Sequence, residues 1–486
     1  MEISPLPRLQ QLTPLRRSHP KEANSEPRDG LAPSLPAHTD GAARQTPAKS
    51  SPPKAALVAM SLVGALGSMA QLFLGAAPAA AAGPVVQVQV QANNANPIAD
   101  LTTQVVVNGR SGEVLRQGRM VKRDAYPGLH STSLQQGQNP QPLVDGAPNF
   151  RQVYGSQVYG VAQPTVSGLK SMLNQMGAGP QGSGPAVTWT SLREEPVIYI
   201  QGQSYTLRDI QHPTSNLEDT GVSSGTVATR ENTLKQEILE EAQSHGGKFL
   251  VAEESADGSV VGKWVELKPG DVQTPADVYE GLQTEGYRVD YARIPISDEK
   301  APENQDFDAL ISRLRQSNPN SPLVFNCHAG RGRTTTGMVI GQLFRGSQGT
   351  ATGAQLKGDR YEQGNFRAVL DLLDTLRSGQ ESKSALDAVI DKTGEVQNLR
   401  TAIAKLKHKS DSLPPGQVAE ESLSRGKDYL YRYYKLIAFE SYLREMGPQG
   451  FPQDFSQWIG QHPELDISPA SLELVYNQSQ QSQSLA

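Results

Sequence analysis

The sequence predicts an α/β domain followed by a helical part, and three observations lead there. Between residues 143 and 344, short apolar runs alternate with amphipathic segments, the pattern of strands and helices layered on each other. Beyond Tyr361 apolar residues recur at helical spacing, with Val369, Leu370, Leu372, Leu373 and Leu376 on one face. The core supply is also thin, since hydrophobic residues are 37% of 486, beside 45 Gly and 34 Pro. A fully packed chain carries more, so we expect a core of about 300 residues with a disordered remainder.

In chain order, residues 1–53 are rich in Pro, Ser, Ala, Arg and Gln without a sustained period and read as a disordered leader. Residues 54–83 form a hydrophobic, Ala-rich segment, uncharged from Ala55 to Ala82. It has three readings: a late export-signal core, a weak membrane span interrupted by Gly64, Gly67, Gln71 and Pro78, or a low-complexity patch. Residues 84–141 read as a poorly ordered linker, with Val alternating with Gln over 85–90. Removing residues 1 to about 130 is therefore expected to leave an active domain. The domain itself is placed at 142–447 and a C-terminal tail at 448–486, fraying from Asn477 to Ser482.

Inside the domain, strands are expected at 187–192, 197–200, 249–253, 264–267, 288–294 and 323–326. Helices are expected at 166–175, 233–244, 274–285, 306–316 and 334–344, then at 366–376 and 429–443. Each strand is an apolar or β-branched run bounded by turn residues, and each helix has apolar positions at three- and four-residue spacing.

Charge and cysteine content narrow the function. A net charge of -5 provides no general basic footprint for nucleic acid. With 1 Cys, 8 His and no HExxH, neither a disulfide framework nor a cysteine-rich zinc site is available, and neither metal nor cofactor is expected.

The single cysteine sits in Pro322-Leu-Val-Phe-Asn-Cys327-His328-Ala329-Gly330-Arg331-Gly332-Arg333-Thr334-Thr-Thr-Gly-Met338. An apolar strand ends at Asn326, a loop with Gly330 and Gly332 follows, and Thr334 opens a helical run. Strand, glycine-bearing loop and helix N-terminus together make an anion site. A thiol there is favoured as thiolate, and Arg333 returns to the loop mouth with a fork suited to phosphate. Thr334 can donate to the sulfur. A merely packed cysteine needs none of these surroundings. Upstream, Asp298 follows a strand in the Pro-flanked loop Ile294-Pro-Ile-Ser-Asp298-Glu-Lys-Ala-Pro302. Alone it reads as a turn carboxylate; with Cys327 it reads as a general acid.

The loop resembles the C-x5-R signature of cysteine-dependent phosphatases. Further segments resemble the protein-tyrosine-phosphatase-like inositol phosphatases, or cysteine phytases, and the paladin-type proteins related to them. These are Gly146-Ala-Pro-Asn-Phe-Arg151, Gly160-Val-Ala-Gln-Pro-Thr165, Leu192-Arg-Glu-Glu-Pro196 and Arg293-Ile-Pro-Ile-Ser-Asp298, with a looser likeness over 427–443. The resemblance spans roughly 142 to 447. It implies a twisted sheet flanked by helices, with a small extra β element around 249–267 shaping the pocket.

It also implies hydrolysis of inositol polyphosphates such as phytate through a phosphocysteine. Cys327, Arg333, Asp298 and Thr334 would be catalytic. His328, Ala329, Gly330, Arg331 and Gly332 would cradle the phosphate, with Arg193 and Lys300 brought to the rim. Arg425, Lys427, Arg432 and Lys435 could join them in a basic rim.

Two positions depart from the phytase pattern: Asn326 stands where His precedes the cysteine, and Glu299-Lys300 follow the acid where His is frequent. An N-x-x-K-N-R-Y loop for phosphotyrosine is absent from the sequence. The alternatives are a protein phosphatase acting on a phosphorylated partner and an inactive inositol-phosphate-binding module. A Ser/Pro-rich leader before such a domain resembles bacterial effectors delivered into host cells. The 54–83 segment allows a periplasmic or membrane-tethered protein instead.

Overall fold

The structure, a computed structural model, describes residues 101–124, 144–255, 259–346 and 359–475. The leader, the 54–83 segment, the Val/Gln run and the Asn477–Ser482 stretch lie outside the described residues. Among the described residues no helix is long and apolar enough to cross a membrane.

The described chain opens with a helix, Leu101–Gly109 (α1), and a strand, Arg119–Arg123 (β1). Strands Arg151–Gln152 (β2) and Val158–Val161 (β3) precede helix Val166–Gln175 (α2), where Thr165 accepts from the Gly168 amide as N-cap. Val187–Ser191 (β4), Val197–Ile200 (β5) and Gln203–Asp209 (β6) lead to the long helix Ser224–Ser244 (α3). Lys248–Glu254 (β7), Val260–Glu266 (β8) and Val272–Gln273 (β9) follow. Helix Pro275–Thr284 (α4) starts with a Thr274/Asp277 capping box and a proline in its first turn. Val289–Arg293 (β10), Asn304–Gln316 (α5), Leu323–Asn326 (β11) and Gly332–Gly346 (α6) complete the α/β part. The helical part comprises Arg367–Thr375 (α7), Gly379–Thr393 (α8), Leu399–Ser412 (α9), Gln417–Met446 (α10) and Phe455–Gly460 (α11).

Two sheets form. The five-stranded one has the order β10-β4-β11-β3-β2, parallel from β10 through β3 with antiparallel β2 at the edge. Its centre, β11, is buried along its whole length, as a strand covered on both faces must be. One face packs α2 and α4 through Leu169, Met172, Trp189, Val278 and Leu282. The other meets α5, α6 and the C-terminal helices through Phe307, Phe325, Ile340, Leu430 and Phe439. Helix α6 lies close over β11: a Cβ at Gly337 would come within 2.7 Å of Phe325 and Leu192. The six-stranded sheet, β8-β7-β1-β6-β5-β9, is covered by α3 through Leu234 and Ile238.

The α/β architecture with a helical C-terminal part is as expected, and three boundaries need correction. Residues 101–123 lie in the stretch expected to be a poorly ordered linker, yet β1 occupies an interior position of the larger sheet. It pairs antiparallel with β6 from Arg119↔Asp209 to Arg123↔Tyr205 and parallel with β7. The extra β element is likewise larger than the expected 249–267 hairpin, because β1, β5, β6 and β9 join β7 and β8 in one sheet. The C-terminal stretch from 448 is not simply a tail. Phe455 and Trp458 of α11 are buried against Phe307, Phe439 and Tyr442 in the main core, and aromatic area of this kind holds a short helix in place.

Candidate active site

Three neighbouring parallel strands, β10, β4 and β11, deliver loops to the same edge of the sheet, the C-terminal edge where open α/β sheets bind ligands. From β11 comes the loop Cys327–Arg331. Gly330 has φ +69°, and a Cβ there would fall 2.5 Å from the Ala162 nitrogen, so the loop can close onto the chain after β3 only with glycine. Its carbonyls turn outward: His328 O accepts from the Gln163 amide at 2.9 Å and Ala329 O from Asn149 Nδ2 at 2.7 Å. The amides of Ala329, Gly330, Arg331 and Gly332 donate to no protein acceptor among the described residues. This is the geometry of an anion nest at a helix start. Cys327 is buried, and Thr334 Oγ1 donates to its sulfur at 3.0 Å.

Arg333 is buried and held on every side. Nη2 donates to Glu195 Oε1 at 2.7 Å, Nη1 donates to Ile296 O at 3.1 Å, and Asp298 Oδ1 lies 3.1 Å from Nε. The last contact is an ion pair without hydrogen-bond alignment, which leaves Nε open to a better-placed acceptor. Burial opposes the charge, but Glu195, Asp298 and Cys327 push the guanidinium pKa above its ordinary value. Glu195 is buried too, yet Arg333 and Arg193 hold its carboxyl well below the usual range.

Arg193 requires correction as a substrate contact. It is 0% exposed and spends its guanidinium on Glu195 (3.1 Å), Asp124 (3.0 Å) and Thr206 (2.6 Å). It acts on the loop through other residues: through Glu195 on Arg333, and through Asp124 and Gln163 on His328. Asp124, just after β1, is buried in the same network; burial works against its charge, but Arg193 and His328 hold its pKa far down. His328 sits against this network rather than against open solvent. Its Nε2 lies 3.2 Å from Asp124 Oδ1 and 2.9 Å from Arg208 Nη2. Burial, with Arg208 beside it, pushes its pKa down to about 4 despite the pull of Asp124.

The acid loop is stapled from two sides. Ser297 Oγ donates to Glu194 Oε2 at 2.8 Å, and the Asp298 amide donates to Glu194 Oε1 at 3.2 Å. Asp298 Oδ2 accepts from Asn216 Nδ2. From α10, Arg432 Nε and Nη2 donate to Lys300 O at 3.0 and 2.8 Å. Glu299, at φ +61°, pairs with Arg425 at 2.5 Å.

The rim is also less free than a row of cations implies. Lys300 Nζ is partly exposed but donates to Asp428 at 2.8 Å, and Lys435 donates to Asn304. Arg331 is exposed at the loop, while Gly332 lies near Arg432 Nη1. The Asn326 side chain does not serve the sulfur: Oδ1 accepts from Trp189 Nε1 at 2.9 Å and Nδ2 donates to Gln163.

Sequence reasoning missed Asp124, Glu194, Glu195, Asn216 and Arg208 as parts of the site. The adjacent acids Glu194-Glu195, directly after a buried strand, were the available signal. The remaining three carry none, because they arrive from the second sheet and its loops.

The strand, loop and helix around Cys327 lie within a stretch that matches a known family. The family model for PTP-like phytases, described by inositol hexakisphosphate, matches residues 190–345. The chain is related to the paladins. It is 30% identical to Paladin of Homo sapiens over 361 residues, covering 67% of this chain and 41% of that protein. It therefore spans about two fifths of the length of that relative. Over 186 residues it is 27% identical to Effector protein hopD2 of Pseudomonas syringae pv. tomato, covering 38% of this chain and 36% of that one. The tandemly repeated protein tyrosine phosphatase like phytase from Mitsuokella multacida superposes with a TM-score of 0.47 at 14% identity, over 74% of this chain and 50% of that one.

Proposed function

We propose that the protein is a cysteine-dependent phosphatase that hydrolyses phosphate monoesters of inositol polyphosphates, phytate among them. One observation carries the reading: at the end of β11, Cys327 Sγ accepts from Thr334 at 3.0 Å, inside a loop whose amides are unspent and whose returning Arg333 lies beside Asp298. The family match over residues 190–345 supports the substrate class.

The sulfur attacks phosphorus and the P–O bond to the ring breaks. Loop amides and Arg333 hold the equatorial oxygens. Asp298 gives its proton to the leaving alkoxide and, then ionised, takes one from the water that cleaves the phosphocysteine. Phosphate reaching Arg333 competes with Asp298 Oδ1 at Nε, which frees the carboxyl for proton transfer.

The test is phosphate release from phytate against a phosphotyrosine peptide, with Cys327→Ser as blank and products separated by chromatography. Asp298→Asn is expected to lower turnover on phytate by about 10²–10⁴-fold, and less on an aryl phosphate with a good leaving group. Activity retained by Cys327→Ser, or preference for the peptide, overturns the reading. The composition of residues 1–53 and the likeness to hopD2 support delivery into a host cell. A translocation reporter fused after residue 100 tests this, and a signal confined to the periplasm refutes it.

A further inference from the structure

The turn that presents Asp298 is not stable by itself. It runs from Ser297 to Lys300, closed by the Lys300 amide donating to Ser297 O at 3.3 Å, with Asp298 and Glu299 at its centre. Glu299 has φ +61°, a conformation that this turn position gives to glycine freely and to a glutamate only at a steric cost. Such a residue persists where its surroundings over-determine it. Glu194 fastens the start of the turn, accepting from Ser297 Oγ and the Asp298 amide. The end is fastened from α10. Arg425 pairs with Glu299 and Asp428 with Lys300, but Arg425 is 50% and Lys300 43% exposed, so salt or a polyphosphate can displace both pairs. Arg432, one turn beyond Asp428, is different. It is 1% exposed and puts both Nε and Nη2 on the Lys300 carbonyl, at 3.0 and 2.8 Å. Hydrogen bonds from a charged donor are stronger than neutral ones. Its Cζ lies 4.9 Å over the Tyr429 ring, and Nη1 is 3.3 Å from where a Cβ would stand on Gly332, where the phosphate loop enters α6. One buried guanidinium therefore sits between the acid loop and the phosphate loop.

We propose that Arg432 is a positioning residue for Asp298: by holding the Lys300 carbonyl beside the phosphate loop, it keeps the strained turn in the shape from which the carboxyl protonates the leaving oxygen. It acts through the turn and not as one of the rim cations. The proposal rests on the reading of Asp298 as general acid. It also makes a demand that an arginine of merely structural value does not meet. Misplacing a reacting group by about 1 Å costs about 10²-fold, so the effect of losing Arg432 falls on the step that uses the Asp298 proton and is absent where that proton is not needed.

The experiment uses the full chain and measures kcat/KM, which reports every step through departure of the leaving group. The substrates are phytate, phenyl phosphate and dinitrophenyl phosphate. Phenyl phosphate needs a proton at its leaving oxygen, dinitrophenyl phosphate does not, and neither offers a second phosphate to the rim. Arg432→Met should lower kcat/KM about tenfold or more on phytate and phenyl phosphate, and less than about twofold on dinitrophenyl phosphate. In a chain that already carries Asp298→Asn, adding Arg432→Met should cost less than about twofold on phytate. Equal losses on the two aryl phosphates would mark a general structural role, and a loss on phytate that persists beside Asp298→Asn would mark a rim contact. Either result overturns the proposal, as does no loss at all. Should Arg432→Met fail to fold, Arg432→Lys is read by the same comparisons. With a point charge in place of the fork, it should show a smaller loss with the same dependence on leaving group, and no loss, or an equal loss on both aryl phosphates, refutes the role. The acid reading is judged separately by Asp298→Asn alone, which must spare dinitrophenyl phosphate. If it does not, or if wild type releases no phosphate, that reading fails; if it does and Arg432→Met shows no such selectivity, the positioning role alone fails.

Discussion

Glu195 stands between Arg193 and Arg333, and neither guanidinium can reach water once the carboxylate is gone. Breaking a buried pair by removing one partner costs about 3–5 kcal/mol, because the uncompensated charge remains inside. Glu195→Gln is therefore expected to lower the melting temperature strongly as well as the activity, and a melt equal to wild type would show that the network is dispensable. His328 adds a pH dependence of defined sign. Its pKa falls from 6.5 to about 4 on folding, chiefly through burial and Arg208. Between those values the unfolded chain binds the proton more readily, so stability is complete above about pH 6.5 and falls as pH drops toward 4, by about 1.4 kcal/mol per pH unit at most. Asp124 and Glu195, held far below their ordinary values, extend the loss below pH 4. Melts at stepped pH should show the decline, and His328→Asn should flatten it between 6.5 and 4. A flat wild-type profile would contradict the placement of this ring.

At the scale of elements, β1 decides what can be cut away. Its ladder to β6 runs over five residue pairs and its other edge meets β7, so its removal opens a gap inside the sheet and takes Asp124 with it. A chain beginning at residue 131 is expected to be insoluble or inactive, contrary to what composition implies; soluble, active protein from that truncation would mean the sheet can reclose without β1. The reason composition misleads is visible in Arg119-Met-Val-Lys-Arg123. Three of its five residues are cationic, yet Lys122 is 3% exposed and reaches Glu254 at 2.5 Å. By contrast β5 and β11 were legible because fully buried strands carry nearly unbroken apolar runs, β4 because β-branched residues flank its Trp189, and α2 because its period and its Thr165 cap are both local. Helices α8 and α9 were missed: they bury small and charged residues such as Ser382, Asp387 and Arg400, which leave no clear apolar stripe.

For the whole molecule, a net charge of -5 means that attraction of a polyphosphate rests on local cations. Several of these are already paired, Lys300 with Asp428 and Arg425 with Glu299. Exposed pairs of this kind are worth little and are screened by salt, so a ring of phosphates can exchange into them. Efficiency on phytate should exceed that on a phosphotyrosine peptide at low ionic strength, with the gap narrowing as salt rises. Lys300→Ala should raise the Michaelis constant for phytate more than for an aryl phosphate. Arg193→Ala, in contrast, should fail through misfolding or through lost positioning of Arg333, since Arg193 has no surface to offer. Salt-independent kinetics would point away from a polyanionic substrate.

The sequence by itself determined the make-up of the loop. Cys327, Gly330, Arg333 and Thr334 belong to one strand–loop–helix unit, and a unit that is contiguous in the chain writes its geometry into spacing. It also determined the alternation of strands and helices, because periodicity is local. Only the tertiary structure decided which distant charges surround that loop: Glu195 from the end of β4, Asp124 from after β1 and Arg208 from β6. It made Arg193 an internal brace rather than a substrate contact, and made polar segments at both ends of the domain part of its core. The physical reason is that a charged side chain reads as solvated in a sequence. Whether it is instead buried depends on a partner whose position along the chain carries no local signal.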